Sequence, residues 1–215
     1  MSPITLHKES LRVACLGAHP DDIEIACGGT LLTLARRHQL TARYLIMTGS
    51  PERRKEALAA AEAFLPNAEV EFGCEQTQFI DGFLPQAWGA VKRRMHQFAE
   101  EMLTPDIVFV PRVDDAHQDH RLLGQLAPTI WRNSQIFHYE IPKWDGDVGR
   151  PALYVPVADV DAHTKVRLLN ASYPSQHSRD WWDDELFLGF LRMRGMECKR
   201  RYAEAFHINK LVLGL

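Results

Sequence analysis

Two short apolar runs, each cut off by a cluster of imidazoles and carboxylates, constrain this chain more than any other feature. Arg12 to Ala18 (RVACLGA) reads as a buried strand that breaks at His19-Pro20-Asp21-Asp22. Asp106 to Val110 (DIVFV), entered through Pro105, reads as another that ends in the polar loop Asp114 to His120. Strands and helices alternate around these two. Gly28-Gly29 open an apolar stretch, Thr30 to Leu40, with helical spacing at Leu31, Leu34 and Ala35. Thr41 to Thr48 reads as a second strand. Pro51 starts a helix to about Leu65, since proline suits a first helical turn. Ala68 to Phe72 is a third strand, and Gln86 to Leu103 has helical periodicity at Val91, Met95, Phe98 and Met102. Beyond the fourth strand, Asp106 to Val110, come a helix over Leu122 to Trp131, a fifth strand over Gln135 to Glu140 and a sixth over Leu153 to Val157. This alternation predicts an α/β three-layer sandwich with a mostly parallel sheet, as a single domain over residues 1–215. In strand order 3-2-1-4-5 the switch point lies between strands 1 and 4, and ligands sit outside the carboxyl ends there. The two polar clusters are therefore expected to meet in space.

The 215 residues suffice for one sizeable core, and 46% hydrophobic with 25% charged residues is ordinary for a globular chain. A net charge of −3 argues against a nucleic-acid partner. Cys15, Cys27, Cys74 and Cys198 are scattered and form no C-x-x-C pair, so neither a disulfide framework nor a thiolate metal site is expected. Met1 to Ser10 lacks the apolar core of a secretory signal, and no apolar run reaches the ~18–20 residues of a membrane span. A cytoplasmic location is the resulting expectation. Gly28-Gly29 do not form G-x-G-x-x-G after the first strand, which speaks against a dinucleotide site.

Together the two loops supply His19, Asp21, Asp22, His117, Asp119 and His120. Imidazole and carboxylate suit Zn²⁺, although another divalent ion could use the same donors. A catalytic zinc needs about three protein ligands and an open position. His19, Asp22 and His120 are assigned to it. The surplus groups then have other work: Asp21, one residue from a ligand, as general base; His117, three residues before His120, as oxyanion stabiliser or acid; Asp119 as the residue that orients His117. His138 in the fifth strand is a candidate to line the pocket.

At these residues the chain resembles the PIG-L/LmbE family of zinc-dependent N-acetylglucosaminyl deacetylases. Ala18-His19-Pro20-Asp21-Asp22 with Cys27-Gly28-Gly29-Thr30 is similar to the family's A-H-P-D-D-E…G-G-T opening, and His117-Gln118-Asp119-His120 to its H-x-D-H motif. Thr48-Gly49, Arg53-x-x-Glu56, Pro105-Asp106-Ile107-Val108, Ser175-Gln176 and Tyr202-Ala203-Glu204-Ala205-Phe206 resemble further family segments in the same order. The resemblance implies a Rossmann-like fold, zinc on His19, Asp22 and His120, Asp21 as base, and His117 in the oxyanion or acid role with Asp119 orienting it. It also implies an N-acetylated, sugar-containing small molecule as substrate and a tendency to form homo-oligomers. Two positions depart from the pattern: Ile23 follows Asp22, with Glu24 one place later, and Tyr173 stands where the family usually has His.

The expected function is therefore removal of an acetyl group from the amide nitrogen of an N-acetylated aminosugar. Arg53 and Trp182, with His138, are the substrate-binding candidates, Trp182 because Trp181-Trp182 lies in a loop where an indole can stack on a sugar. Arg53 has the competing reading of an ion pair with Glu56. Phe137 to Gly149 matches nothing in the family pattern, and loops of this kind set substrate choice. Two alternatives stand beside this reading: an amidase acting on a sugar-free N-acyl substrate such as a thiol conjugate or antibiotic precursor, and a Rossmann-like binding module without chemistry.

Overall fold

The computed structural model describes residues 5–73 and 79–212. Cys74 lies outside the described residues. β1 (Ser10–Gly17), β2 (Gln39–Ile46), β3 (Glu69–Phe72), β4 (Ile107–Pro111), β5 (Gln135–Tyr139), β6 (Leu153–Val157) and β7 (Tyr202–His207) form one sheet in the order β3-β2-β1-β4-β5-β7-β6. The first five strands pair in parallel, and β7 joins β5 and β6 antiparallel. The strand order reverses between β1 and β4, as the alternation of the sequence predicts.

Side chains alternate across β1. Val13 and Cys15 face the layer built by α1 (Asp22–Arg37), α2 (Pro51–Phe64), α5 (Asp159–Ser172) and α6 (Asp184–Glu197), while Ala14 and Leu16 face α3 (Trp88–Glu100) and α4 (Gln118–Ile130). Both faces of the strand are fully buried, which is why it reads as a continuous apolar run. Each large side chain buried this way contributes about 1.5–3 kcal/mol.

The structure corrects the extent of the first helix. α1 begins at Asp22 rather than Thr30, and Gly28-Gly29 lie inside it. These glycines allow close packing. A Cβ on Gly28 would come within 2.6 Å of the Phe64 ring, and one on Gly29 within 3.0 Å of Glu204 Oε1. That carboxylate accepts hydrogen bonds from Gly29 N at 2.8 Å and Thr30 N at 2.6 Å, and Lys165 Nζ donates to both Glu204 and the Ile25 carbonyl at 2.6 Å. A buried ion pair from α5 and β7 is thus wedged against the middle of α1, serving backbone groups at the point where side chains enter a helix ladder.

Candidate active site

The loop between β1 and α1 is shaped by its aspartates. Asp22 Oδ2 accepts from Ala18 N and His19 N at 2.8 Å each, which curls the chain back on itself. Asp21 sits at φ 95° and makes no cap to α1. A left-handed conformation costs a non-glycine residue of order 1–3 kcal/mol, least for Asp and Asn. The Asp21 carboxylate is held by Arg53, whose Nη2 donates to Oδ2 at 2.7 Å and also to the Pro20 carbonyl. Thr48 supports the loop from below through hydrogen bonds to the Ala18 carbonyl, and Gly49, at φ 127°, leaves space that a Cβ would take from Pro20. Glu56 lies 3.4 Å from Arg53 Nε and accepts from Ser175 N and Oγ at 2.8 and 2.6 Å. The scattered T-G, R-x-x-E and S-Q segments therefore act together to hold the loop and Arg53.

His117 caps α4 and His120 follows one turn on, with their rings 4.7 Å apart on one face. Across the switch point, three donor atoms converge. His19 Nδ1 lies 3.1 Å from His120 Nε2 and 3.5 Å from Asp22 Oδ2, and the latter two are 3.3 Å apart. Donors on a tetrahedral ion with bonds of about 2.0–2.2 Å stand about 3.3–3.6 Å from one another. The three residues thus fit a small divalent cation.

The outward nitrogens of both histidines meet carboxylates. His120 Nδ1 is 3.2 Å from Asp115 Oδ2, and Asp115 Oδ1 accepts from His117 N at 2.8 Å and sits 3.1 Å from Lys143 Nζ. His19 Nε2 is 3.3 Å from Asp119 Oδ2 and 3.0 Å from Asp81 Oδ1. Partners of this kind fix the ring and raise its donor strength toward a metal. The Asp119 carboxylate is pinned by Gly82 N and Leu84 N at 2.7 and 3.0 Å. It faces His19, not His117 as the sequence suggested. His117 is held instead by the Asp119 backbone, whose N–H donates to Nδ1 at 3.3 Å and leaves Nε2 as the ring's donor position.

The electrostatics follow from this crowding. Burial works against a charge on His120, but Asp22 and Asp115 outweigh it and push its pKa up to about 9. His19 is likewise raised, with burial overcome by Asp22, Asp119 and Asp81. Burial also opposes ionisation of Asp22, yet His120 and His19 hold it well below the usual carboxylate range. Asp21 is pushed by burial up to about 7 against the pull of Arg53. A bound cation would draw it down again. His117 is lowered by burial and by the two neighbouring imidazoles.

Two substrate candidates do not reach the site. His138 is buried on the α4 side of β5, with Nδ1 3.0 Å from the Pro111 carbonyl. Alternation along the strand sends Tyr139 to the other face instead, where its hydroxyl bonds the Leu16 carbonyl at 2.6 Å. Trp182 is a core residue: it packs on Tyr173 and Phe187, and its indole N–H donates to Asn170 Oδ1 at 2.9 Å. Sequence reasoning also missed Asp81, Asp115 and Lys143. Asp115 lay inside the polar loop already singled out, while Asp81 and Lys143 carry no local signal. The two departures from the family pattern prove to be partners, because Tyr173 Oη donates to Glu24 Oε2 at 2.8 Å in a fully buried pair.

A mostly parallel sheet with helices on both faces, and with imidazoles and carboxylates gathered at its switch point, defines a Rossmann-like α/β protein. The family model described as GlcNAc-PI de-N-acetylase, PIG-L, matches residues 14–131, more than half of the chain, and the chain belongs to that family. It is similar to the uncharacterized deacetylase YaiS of Escherichia coli (strain K12), at 28% identity over 138 residues covering 60% of this chain and 74% of YaiS. In fold it resembles N,N′-diacetylchitobiose deacetylase from Pyrococcus horikoshii, with a TM-score of 0.72, 22% identity, and coverage of 93% of this chain and 84% of that one. It also resembles GalB, the 4-carboxy-2-hydroxymuconate hydratase of Pseudomonas putida KT2440, with a TM-score of 0.68, 17% identity, and coverage of 95% and 99%. The fold alone therefore does not choose the reaction. Family membership does, and the chain is an N-deacetylase hydrolysing a linear amide. Among the described residues no helix is long and apolar enough to cross a membrane.

Proposed function

We propose that the protein removes the acetyl group from the amide nitrogen of an N-acetylated, glucosamine-type sugar, with zinc held by His19, Asp22 and His120. The observation that carries this reading is the convergence of His19 Nδ1, Asp22 Oδ2 and His120 Nε2 within 3.5 Å of one another. Zinc bound there supplies Lewis acidity and a more acidic water. Asp21, held by Arg53 and making no cap to its own helix, accepts the proton from the attacking water and returns it to the leaving nitrogen. His117 donates from Nε2 toward the carbonyl oxygen as negative charge develops there. Asp119 and Asp115 keep the rings of His19 and His120 in place. Arg53 acts through Asp21 rather than through the substrate. The free cysteines Cys15, Cys27 and Cys198 suit the reducing cytoplasm in which we place the enzyme.

The test is acetate release from a panel of N-acetyl sugars, measured together with metal content. The purified protein should carry about one zinc per chain and lose activity on chelation. Asp21→Asn should keep the metal while turnover falls ~10²–10⁴-fold. Activity untouched by chelators would remove the metal from the reaction, and near-normal turnover in Asp21→Asn would remove the base.

A further inference from the structure

Two indoles from different segments meet near the loops that build the site. Trp144 belongs to the loop after β5, whose neighbouring Lys143 sits on Asp115, the partner of His120. Trp181 packs against Trp182, Trp182 packs on Tyr173, and the Arg53 guanidinium that binds Asp21 lies over the Tyr173 ring. The Trp144 and Trp181 rings stand edge to face, 6.0 Å apart at 81°. They thus join the loop after β5 to the segment that packs on Tyr173.

We infer that Trp144 and Trp181 form a stacking platform for a saccharide ring of the substrate. This rests on the sugar-type reading given above. Trp144 is 67% exposed, yet its loop is tightly anchored. Lys143 Nζ pairs with Asp147 at 2.8 Å, Asp147 Oδ2 accepts from Ala116 N at 2.7 Å, Arg112 donates to the Asp147 carbonyl, and Gly149 N donates to Glu140 at 2.9 Å. An exposed indole on an anchored loop, next to the lysine that pairs with Asp115, offers a ligand a large apolar face. An indole offers a flat face with negative charge at its centre, which suits the C–H-rich face of a pyranose. Trp182, the sequence candidate for this role, is its buried support.

The experiment uses Asp21→Asn protein loaded with zinc, so that ligand is not consumed, and titrates it with N,N′-diacetylchitobiose by calorimetry. Trp144→Ala and Trp181→Ala in that background should each weaken binding about tenfold, and Trp144→Phe should recover most of the loss. Sedimentation of the same proteins checks the rival occupant, a second copy of the chain. Self-association that disappears in Trp144→Ala, with sugar affinity unchanged, would overturn the platform. So would saccharide turnover by the native protein combined with undiminished affinity in both alanine variants, which leaves the sugar-type reading intact. Turnover of a sugar-free N-acetyl amide, with no saccharide bound or cleaved, would overturn both.

Discussion

Two charge clusters touch the same helix, one fully buried and one open to solvent at Asp81, and they are built on opposite plans. At the middle of α1, Glu204 and Lys165 close on each other at 2.6 Å, and their remaining capacity goes to Gly29 N, Thr30 N and the Ile25 carbonyl. At its N-terminus, Asp21, Asp22, Asp81, Asp115 and Asp119 crowd around two imidazoles. Arg53 pairs with Asp21 and Lys143 with Asp115, while Asp22, Asp81 and Asp119 meet His19 or His120. The first cluster is balanced within itself. The second has a surplus of negative charge, which is why both histidines are pulled toward the protonated state. A balanced buried pair sets shape, whereas the excess of carboxylates in the other suits the cation proposed there.

The sharpest way to break this contrast is to remove one member from each cluster. His120→Ala should abolish stoichiometric zinc binding and cut acetate release by ~10⁴-fold or more, read by metal analysis and assay, with the fold retained in far-ultraviolet circular dichroism. Lys165→Met should do the reverse. It leaves a buried carboxylate without its partner and should cost about 3–5 kcal/mol in urea unfolding, while folded protein below the transition still binds zinc. If Lys165→Met lost metal without losing stability, the division between shape and cation binding would fail. Asp115→Ala tests the outer layer of the metal cluster and should weaken zinc affinity ~10–100-fold in competition with a chelator, an effect smaller than that of losing a ligand.

Much of the architecture could be read from the chain because its signals are local. β1 and β4 are apolar on both faces and stop at their polar clusters, so their strand character and the switch point between them follow from pattern alone. The expected donors His19, Asp22 and His120 are brought together by that topology. α5 and α6 were not legible for the converse reason. Their buried sides carry Asp161, Lys165 and Arg194, whose partners Arg36, Glu204 and Glu140 lie far away in sequence, and these charges interrupt the short apolar series Ala162, Val166, Leu169 and Phe187, Leu191. Asp81 and Lys143 escaped because each reaches the centre from a loop with no periodicity. His138 and Trp182 were misplaced because a strand's parity and a loop residue's burial are set by packing partners that no local pattern names.

The wedge against α1 carries one consequence for anyone shortening this protein. Every proposed metal-binding side chain precedes residue 121, and the matched family segment stops at residue 131. The groups that steady the helix bearing Asp22, however, come from residues 165 and 204. A truncation after the matched segment would keep the whole donor set while discarding its scaffold, so catalytic competence here belongs to the full-length sheet.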